Sequence, residues 1–375
     1  MNRAPAAHLS FEVPGGGALA GSPAVGKLRR YLASSVGDGF PSGLALAVVD
    51  RSGVALEAFG GHACAYGEVL PAQAGTAYDL ASLTKVVCSI TLALAARQRG
   101  MLALDDPVTR WLPAYPQART TLWHLATHTA GLVDHRPFYL TGHGRAAIEA
   151  AVLAEAGNAV PGATVRYSDL GYMLLGWVLE ACFGQPLDAV FAAEVAGPLG
   201  LGRTTFRPPQ SERHLIAATE ADGDQREVPG LVWGEVHDGN AYALGGVAGH
   251  AGLFAPCGDL VRFVQMLLAT SSGPSQVLSP ESVALLGEYQ AGDGEDVRAI
   301  GWRLRPPGAE APQDWGRWPE GTIWHTGFTG TSLLVAPAMG AAVVLLTNSI
   351  HPRRRLDDQA AMRADVHRLV AEALR

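Results

Sequence analysis

Ser82 and Lys85, three residues apart in "SLTK", have the types and spacing for acyl-transfer chemistry. On a helix, positions i and i+3 share one face, with Cβ atoms roughly 5–6 Å apart. A serine hydroxyl is a weak nucleophile at neutral pH and needs a base within hydrogen-bond reach. A lysine that loses its proton in a buried setting can be that base; an arginine cannot. The distinction counts here, because Lys27 and Lys85 are the only lysines among 28 basic residues. A chain that otherwise uses arginine keeps a lysine where deprotonation is needed. The stretch heads a long apolar run, 82–99, that reads as a buried helix closed by Arg97, Arg99 and Gly100. The start of such a helix offers free N–H groups and positive potential to a developing oxyanion.

Two later stretches add to this pair. "YSD", Tyr167-Ser168-Asp169, lies in "VRYSDLGYMLLGWVLE", and "HTG", His325-Thr326-Gly327, lies in "TIWHTGF". In this order and at this spacing the three stretches resemble the S-x-x-K, Y-x-N and K-T-G (or H-T-G) motifs of the serine β-lactamase and penicillin-binding-protein superfamily. That superfamily includes class C β-lactamases, D-Ala-D-Ala carboxypeptidases and family VIII esterases. "LDDPVTRWLP" (104–113) and "LATHTAGL" (125–132) are similar to scaffold stretches of the class C and esterase branch. "EVHDGNAYALGGVAGHAGLF" (235–254) is similar to a loop of a cell-wall-related branch that includes carboxypeptidase-like proteins and muropeptide amidases. The resemblance covers nearly the whole chain from about residue 25.

The resemblance implies a role for each matching residue. Ser82 is the acylated nucleophile and Lys85 helps accept its proton. Tyr167 shuttles a proton between Ser82 and the leaving group, a role that suits a phenol beside an ammonium. The backbone N–H groups of Ser82 and Phe328 form the oxyanion hole. Asp169, His325, Thr326 and Gly327 line the substrate side, and His250 either touches substrate or is structural. Two departures matter. Asp169 stands where the motif has Asn, and an ionised carboxylate near Lys85 opposes its use as a base. Asp169 therefore points away, or is protonated, or leaves more of the base work to Tyr167. His325 stands where β-lactamases carry Lys, and a histidine mostly neutral near pH 7 is a poor permanent partner for a penicillin carboxylate.

The function expected is a serine hydrolase acting through a Ser82 acyl-enzyme on a small-molecule ester, amide or peptidoglycan-derived substrate. An esterase, D-amino-acid peptidase or muropeptide amidase fits better than an efficient β-lactamase, and no cofactor is required. The alternative is a penicillin-binding or inactive sensor protein without turnover. Such a sensor needs a membrane segment, and a dead enzyme usually loses Ser, Lys or Tyr. His124 and His128, four apart and followed by His135, have the spacing of metal ligands but lack the glutamate of H-E-x-x-H. They read as scaffold, as does His237-Asp238, so no metal site is expected. No G-x-S-x-G elbow of an α/β-hydrolase occurs.

Composition bounds the scaffold. At 375 residues, 48% hydrophobic and 17% charged, the chain suits one large domain or two intimate lobes. A net charge of -7 argues against a nucleic-acid partner, and the one dense basic run, Arg353-Arg354-Arg355, reads as the solvated start of a helix. Cys64, Cys88, Cys182 and Cys257 lack metal or disulfide spacing and read as small buried hydrophobes. No run reaches the length of a membrane span, and the N-terminus has no apolar signal core, so a soluble cytoplasmic protein is expected unless an export signal has been processed away. The oligomeric state is open.

The fold expected is α+β, β-lactamase/transpeptidase-like. Residues 1–22 read as a loose Gly/Ala/Pro-rich arm, followed by a helix in "VGKLRRYLASSV" and a hairpin of "GLALAVVD" and "VALEAFGG" around "RSG". Helices are expected near 120–128, 144–156, 169–183, 187–195, 258–269, 280–287 and 356–374, with a loop-rich stretch at 203–252. Substrate specificity is expected from loops such as 133–145 and 203–252. "RAIGWRL", "TIWHTGF", "TSLLVAP" and "GAAVVLLTN" read as consecutive antiparallel strands. One unit, 23–375, thus has a sheet lobe from about 23–80 and 290–375, and a helical lobe from about 101–290 inserted between the two halves.

Overall fold

β-Branched and leucine-rich runs from both ends of the chain pair into one sheet. The computed structural model describes residues 8–14, 19, 21–142, 144–156, 160–223, 230–270, 275–292, 296–308 and 315–375. Its strands are β1 (Leu9–Glu12), β2 (Gly43–Asp50), β3 (Gly53–Tyr66), β4 (Glu68–Pro71), β5 (Ala77–Asp79), β6 (Thr205–Phe206), β7 (Leu253–Pro256), β8 (Arg303–Leu304), β9 (Ile323–Thr326), β10 (Ser332–Ala336) and β11 (Ala341–Thr347). The main sheet is antiparallel in the order β1-β3-β2-β11-β10-β9-β8, with β4 on β3. Both faces are covered, which is why β2 and β11 are apolar without alternation. Leu44, Leu46 and Val48 face α1 (Pro23–Gly37) and the C-terminal helix Leu356–Ala373; Ala45, Ala47 and Val49 face the helices of the middle of the chain.

Those middle helices are α2 (Thr91–Gln98), α3 (Leu122–Ala126), α4 (Arg145–Ala156), α5 (Asp169–Phe183), α6 (Leu187–Phe191), α7 (Gly197–Leu199), α8 (Gly239–Ala243), α9 (Cys257–Thr270) and α10 (Pro280–Ala284); the C-terminal helix is α11. α5 is buried almost all round and starts on Ser168, whose Oγ accepts the Gly171 N–H at 3.2 Å, so the YSD stretch is a helix entrance. The loop before β7 packs onto α5 through two glycines. A Cβ on Gly249 would lie 2.1 Å from the Tyr172 carbonyl oxygen, so only glycine permits the approach.

The structure corrects three readings and adds one element. Leu9–Glu12, within the expected loose arm, is an edge strand paired to Gly60–Glu57 of β3; residues 1–7, 15–18 and 20 lie outside the described residues. The expected regular helix 82–99 opens instead as a π-helix, Lys85–Ile90, before α2, and Thr91 Oγ1 donates to the Val86 carbonyl five residues back at 2.9 Å. "RAIGWRL" is a strand only at Arg303–Leu304. Arg298–Trp302 turns, with Gly301 at φ +78° pressed against Ile90. A small second sheet, β5-β7-β6, has strands too short to show in the sequence pattern.

Candidate active site

Ser82 stands on a fixed turn between β5 and the π-helix. Asp79, the last residue of β5, is buried; its Oδ1 accepts the Ala81 N–H at 2.8 Å and its Oδ2 the His237 N–H at 2.7 Å. Ala81 takes φ +47°, a conformation that costs a non-glycine residue energy and that the Asp79 carboxylate holds in place. The next amides close tight turns, Leu83 to Leu80, Thr84 to Ala81 and Lys85 to Ser82. This lifts Ser82 to the cleft wall while Lys85 turns inward.

Lys85 is fully buried and all three of its ammonium donors are used. Nζ donates to Ser82 Oγ at 2.8 Å, to Asp169 Oδ1 at 2.7 Å and to the His250 carbonyl at 3.2 Å. Burial is the largest influence on its pKa and pushes it down, but Asp169 and Tyr167 together outweigh burial and leave the amine above the ordinary lysine value. For Asp169, burial pushes up, yet Lys85 and His135 hold the carboxyl well below the usual carboxylate range. The question left open by the sequence is thereby answered: Asp169 is ionised and points at Lys85.

Asp169 was expected on the substrate side, and His250 either there or as a structural residue; the geometry ties both to interior partners. Asp169 spends its carboxylate on Lys85, with His135 Nδ1 3.7 Å from its other oxygen. The His250 ring is buried with Nε2 2.8 Å from Asp238 Oδ1, and the residue serves the site through its carbonyl. His135, Asp169 and Asp238 have ligand atoms within 4.8 Å of one another, enough to hold a cation. The Lys85 ammonium already fills that role at Asp169. The other histidines are scaffold. His124 closes a capping box with Thr121, and His128 Nδ1 accepts the Ser168 N–H at 3.0 Å. Burial and the nearby Arg298 and Lys85 push the His128 imidazole well below its ordinary pKa. Its ring lies 4.6 Å from that of Tyr167, which also faces Lys85 Nζ at 4.9 Å and the Arg298 guanidinium at 5.5 Å.

Ser82, Tyr167, His325, Thr326, Gly327 and Phe328 line one cleft of about 380 Å³. β9 runs so close to the nucleophile turn that a Cβ on Gly327 would meet the Leu80 carbonyl oxygen at 2.4 Å. Thr329 Oγ1 to the Asp79 carbonyl (2.6 Å) and Thr331 Oγ1 to the Leu80 carbonyl (3.1 Å) join the two segments. Gln359 Nε2 donates to the Phe328 carbonyl at 2.8 Å, and Arg363 donates to the Gly327 carbonyl. The N–H groups of Ser82 and Phe328 have no acceptor among the described residues, as oxyanion donors require. His325 is neutral: burial first, then Lys85 and Arg298, push it well below the ordinary histidine value, and its Nδ1 donates to the Thr326 carbonyl at 2.9 Å.

Sequence reasoning missed the positive wall. Arg298, Arg303 and Arg363 also line the cleft. Arg298 is buried and paired with Asp296 at 2.6 Å; Arg303 is about half exposed. Burial brings Arg363 down to about 10, which leaves it charged at neutral pH. Arg298 and Arg303 sat in a run read as a strand, and Arg363 on a helix with no visible tie to the motifs. The reading of Arg353-Arg354-Arg355 as a solvated helix start holds for the exposed Arg353 and Arg355 ahead of α11 and is corrected for Arg354. Arg354 pairs with Glu220 at 2.7 Å beside the cleft, while Arg355 pairs with Asp358.

Comparison with known proteins gives the family and the fold. The model of the beta-lactamase family matches residues 28–367. A provisionally named D-alanyl-D-alanine carboxypeptidase of Escherichia coli K12 is 31% identical over 366 residues, covering 87% of this chain and 82% of the relative. Among solved structures, a hydrolase with promiscuous acyltransferase activity (EstCE1) superposes with TM-score 0.72 at 24% identity, over 93% of this chain and 98% of that one. A class C beta-lactamase from Rhodobacter sphaeroides gives 0.71 at 20%, over 94% and 100%. These likenesses establish the β-lactamase/transpeptidase-like fold expected from the motifs.

Proposed function

The chain belongs to the beta-lactamase family and is a serine hydrolase, and from that premise we propose that Ser82 forms an acyl-enzyme with peptide or ester substrates that carry a free carboxylate. The observation that carries the reading is the 2.8 Å contact between Lys85 Nζ and Ser82 Oγ at the wall of an arginine-lined cleft. As Ser82 Oγ attacks the carbonyl carbon, its proton passes through Tyr167 or to Lys85 in its neutral form, the minor form near pH 7, and the Ser82 and Phe328 amides hold the oxyanion. The tetrahedral adduct collapses, the C–N or C–O bond breaks, and the leaving group takes a proton from Tyr167. Water then attacks the acyl-enzyme with the same groups as base, releasing the acid and restoring Ser82.

Neutral His325 supplies no charge for a substrate carboxylate, but Arg298 and Arg303 do, while Arg363 spends donors on the Gly327 and Gly330 carbonyls. This supports a D-amino-acid peptide with a terminal carboxylate, in keeping with the name of the E. coli relative, over a simple ester. Arg303→Ala is expected to lower kcat/KM for a carboxylate-ended D-Ala-D-Ala peptide, relative to its methyl ester, by about tenfold or more, the cost of a charge-assisted hydrogen bond. An unchanged ratio removes Arg303 from recognition. The test of the nucleophile is intact-protein mass after a fluorophosphonate probe, followed by digestion. One adduct on the peptide holding Ser82 supports the reading; no adduct, or one elsewhere, moves the non-catalytic binding protein ahead.

A further inference from the structure

Phe328 is 40% exposed and lines the cleft beside Ser82, yet its ring is held. The His237 ring stacks on it at 5.6 Å between centroids and 15° between planes, and the Arg354 guanidinium lies 5.4 Å from its centre. One buried carboxylate fixes both partners: Glu220 Oε2 is 2.9 Å from His237 Nε2, and Glu220 pairs with Arg354 at 2.7 Å. His237 is tied by its N–H to Asp79, the residue that also holds the Ala81 turn. The ring and the nucleophile therefore share an anchor. Leu356, 47% exposed at the start of α11, lines the same cleft.

A large apolar surface left open to water beside a nucleophile gains most when a substrate covers it. An aromatic ring already fixed in one position gives up little entropy in doing so. The wall formed by Arg298 and Arg303 disfavours an apolar group, because their charges would lose water against it. That wall suits the carboxylate-bearing half of a substrate and leaves the Phe328 side for the other half.

We propose that Phe328 and Leu356 form an apolar subsite that selects the acyl group of the substrate, with Glu220, His237 and Arg354 as the residues that position the ring. The subsite takes an aliphatic or aromatic acyl chain. The proposal rests on the Ser82 acyl-enzyme reading above.

The test uses the full chain with p-nitrophenyl acetate, butyrate and hexanoate. The expected result is a wild-type preference for hexanoate over acetate in kcat/KM, and a fall of that ratio by about tenfold in Phe328→Ala. Leu356→Ala, a change at an exposed helix start that leaves folding intact, is expected to lower the ratio about threefold. Glu220→Gln is expected to raise KM for hexanoate with little change in kcat for it. Phe328→Leu is expected to restore most of the preference. A labelled Ser82 with a ratio unmoved in both Phe328→Ala and Leu356→Ala, or a loss equal across the three esters, overturns the subsite alone. A wild type that hydrolyses no ester and takes no probe at Ser82 overturns the acyl-enzyme reading and the subsite with it.

Discussion

Lys85→Arg is expected to slow acylation of Ser82 by about 10²–10⁴-fold, the usual contribution of a positioned base. Ser82→Ala marks the floor by removing the nucleophile. Arginine keeps the positive charge and can still pair with Asp169, but it cannot give up a proton. The substitution therefore separates a lysine that serves as base from one that serves only as a cation. The measurement is the single-turnover rate of p-nitrophenol release from an ester. Thermal unfolding run alongside shows whether the larger side chain fits a site where Lys85 is fully buried. An arginine variant within tenfold of wild type assigns the base role to Tyr167.

Asp169→Asn is expected to move the rising limb of the pH–rate profile to lower pH. In the wild type the Asp169 carboxylate helps hold Lys85 above its ordinary pKa, so the neutral amine becomes common only in alkaline solution and acylation climbs beyond neutrality. Asparagine keeps an oxygen for Nζ without the charge. Burial, the largest influence on Lys85, then acts against Tyr167 alone, and the amine is free at lower pH. A limb that stays in place shows that Lys85 is not the titrating group. Stability follows the same pair. Asp169 is held below its unfolded value, so its contribution is complete above about pH 4 and lost as pH falls below that. Lys85 is held above its unfolded value, so its contribution is complete below about pH 10.4 and lost as pH rises past it. Asp169→Ala strands a buried ammonium and is expected to cost about 3–5 kcal/mol at pH 7, read from urea midpoints. The cost should narrow as pH rises towards and past about 10.4, because the stranded amine, with burial no longer opposed by Asp169, sheds its proton at a lower pH than in the unfolded chain.

The motifs made the meeting of Ser82, Lys85, Tyr167 and the third-motif strand legible, because it depends on residue type and order. The core strands and most helices were legible because each carries a periodic or continuous apolar run. What stayed hidden depends on contacts between distant segments. Asp169 could be named but not aimed: it could point away, be protonated, or leave the base work to Tyr167 until α5 was packed against Lys85. His250 contributes a carbonyl, which every residue has. Arg298 turns into the cleft because Gly301 takes a left-handed conformation against Ile90, and a strand-like composition masks that turn. The π-helical start at Lys85 leaves no mark in a run that is apolar on all sides.

The strand order sets a schedule for making the enzyme. β2 has β11 as its neighbour, and the Gly43 N–H finds its acceptor in Asn348, 305 residues on. At ribosomal speed that separation is roughly 15–60 s of synthesis. Throughout it β2 is without its β11 partner, while the helices encoded between β3 and β11, which depend on nearer neighbours, can already collapse. The Ser82 turn is synthesised first, and the Phe328 amide, Gln359 and Arg363 follow only after all the middle helices. On the proposed Ser82 acyl-enzyme reading, a nascent chain carries Ser82 long before Phe328, and acyl chemistry is expected only once the sheet closes.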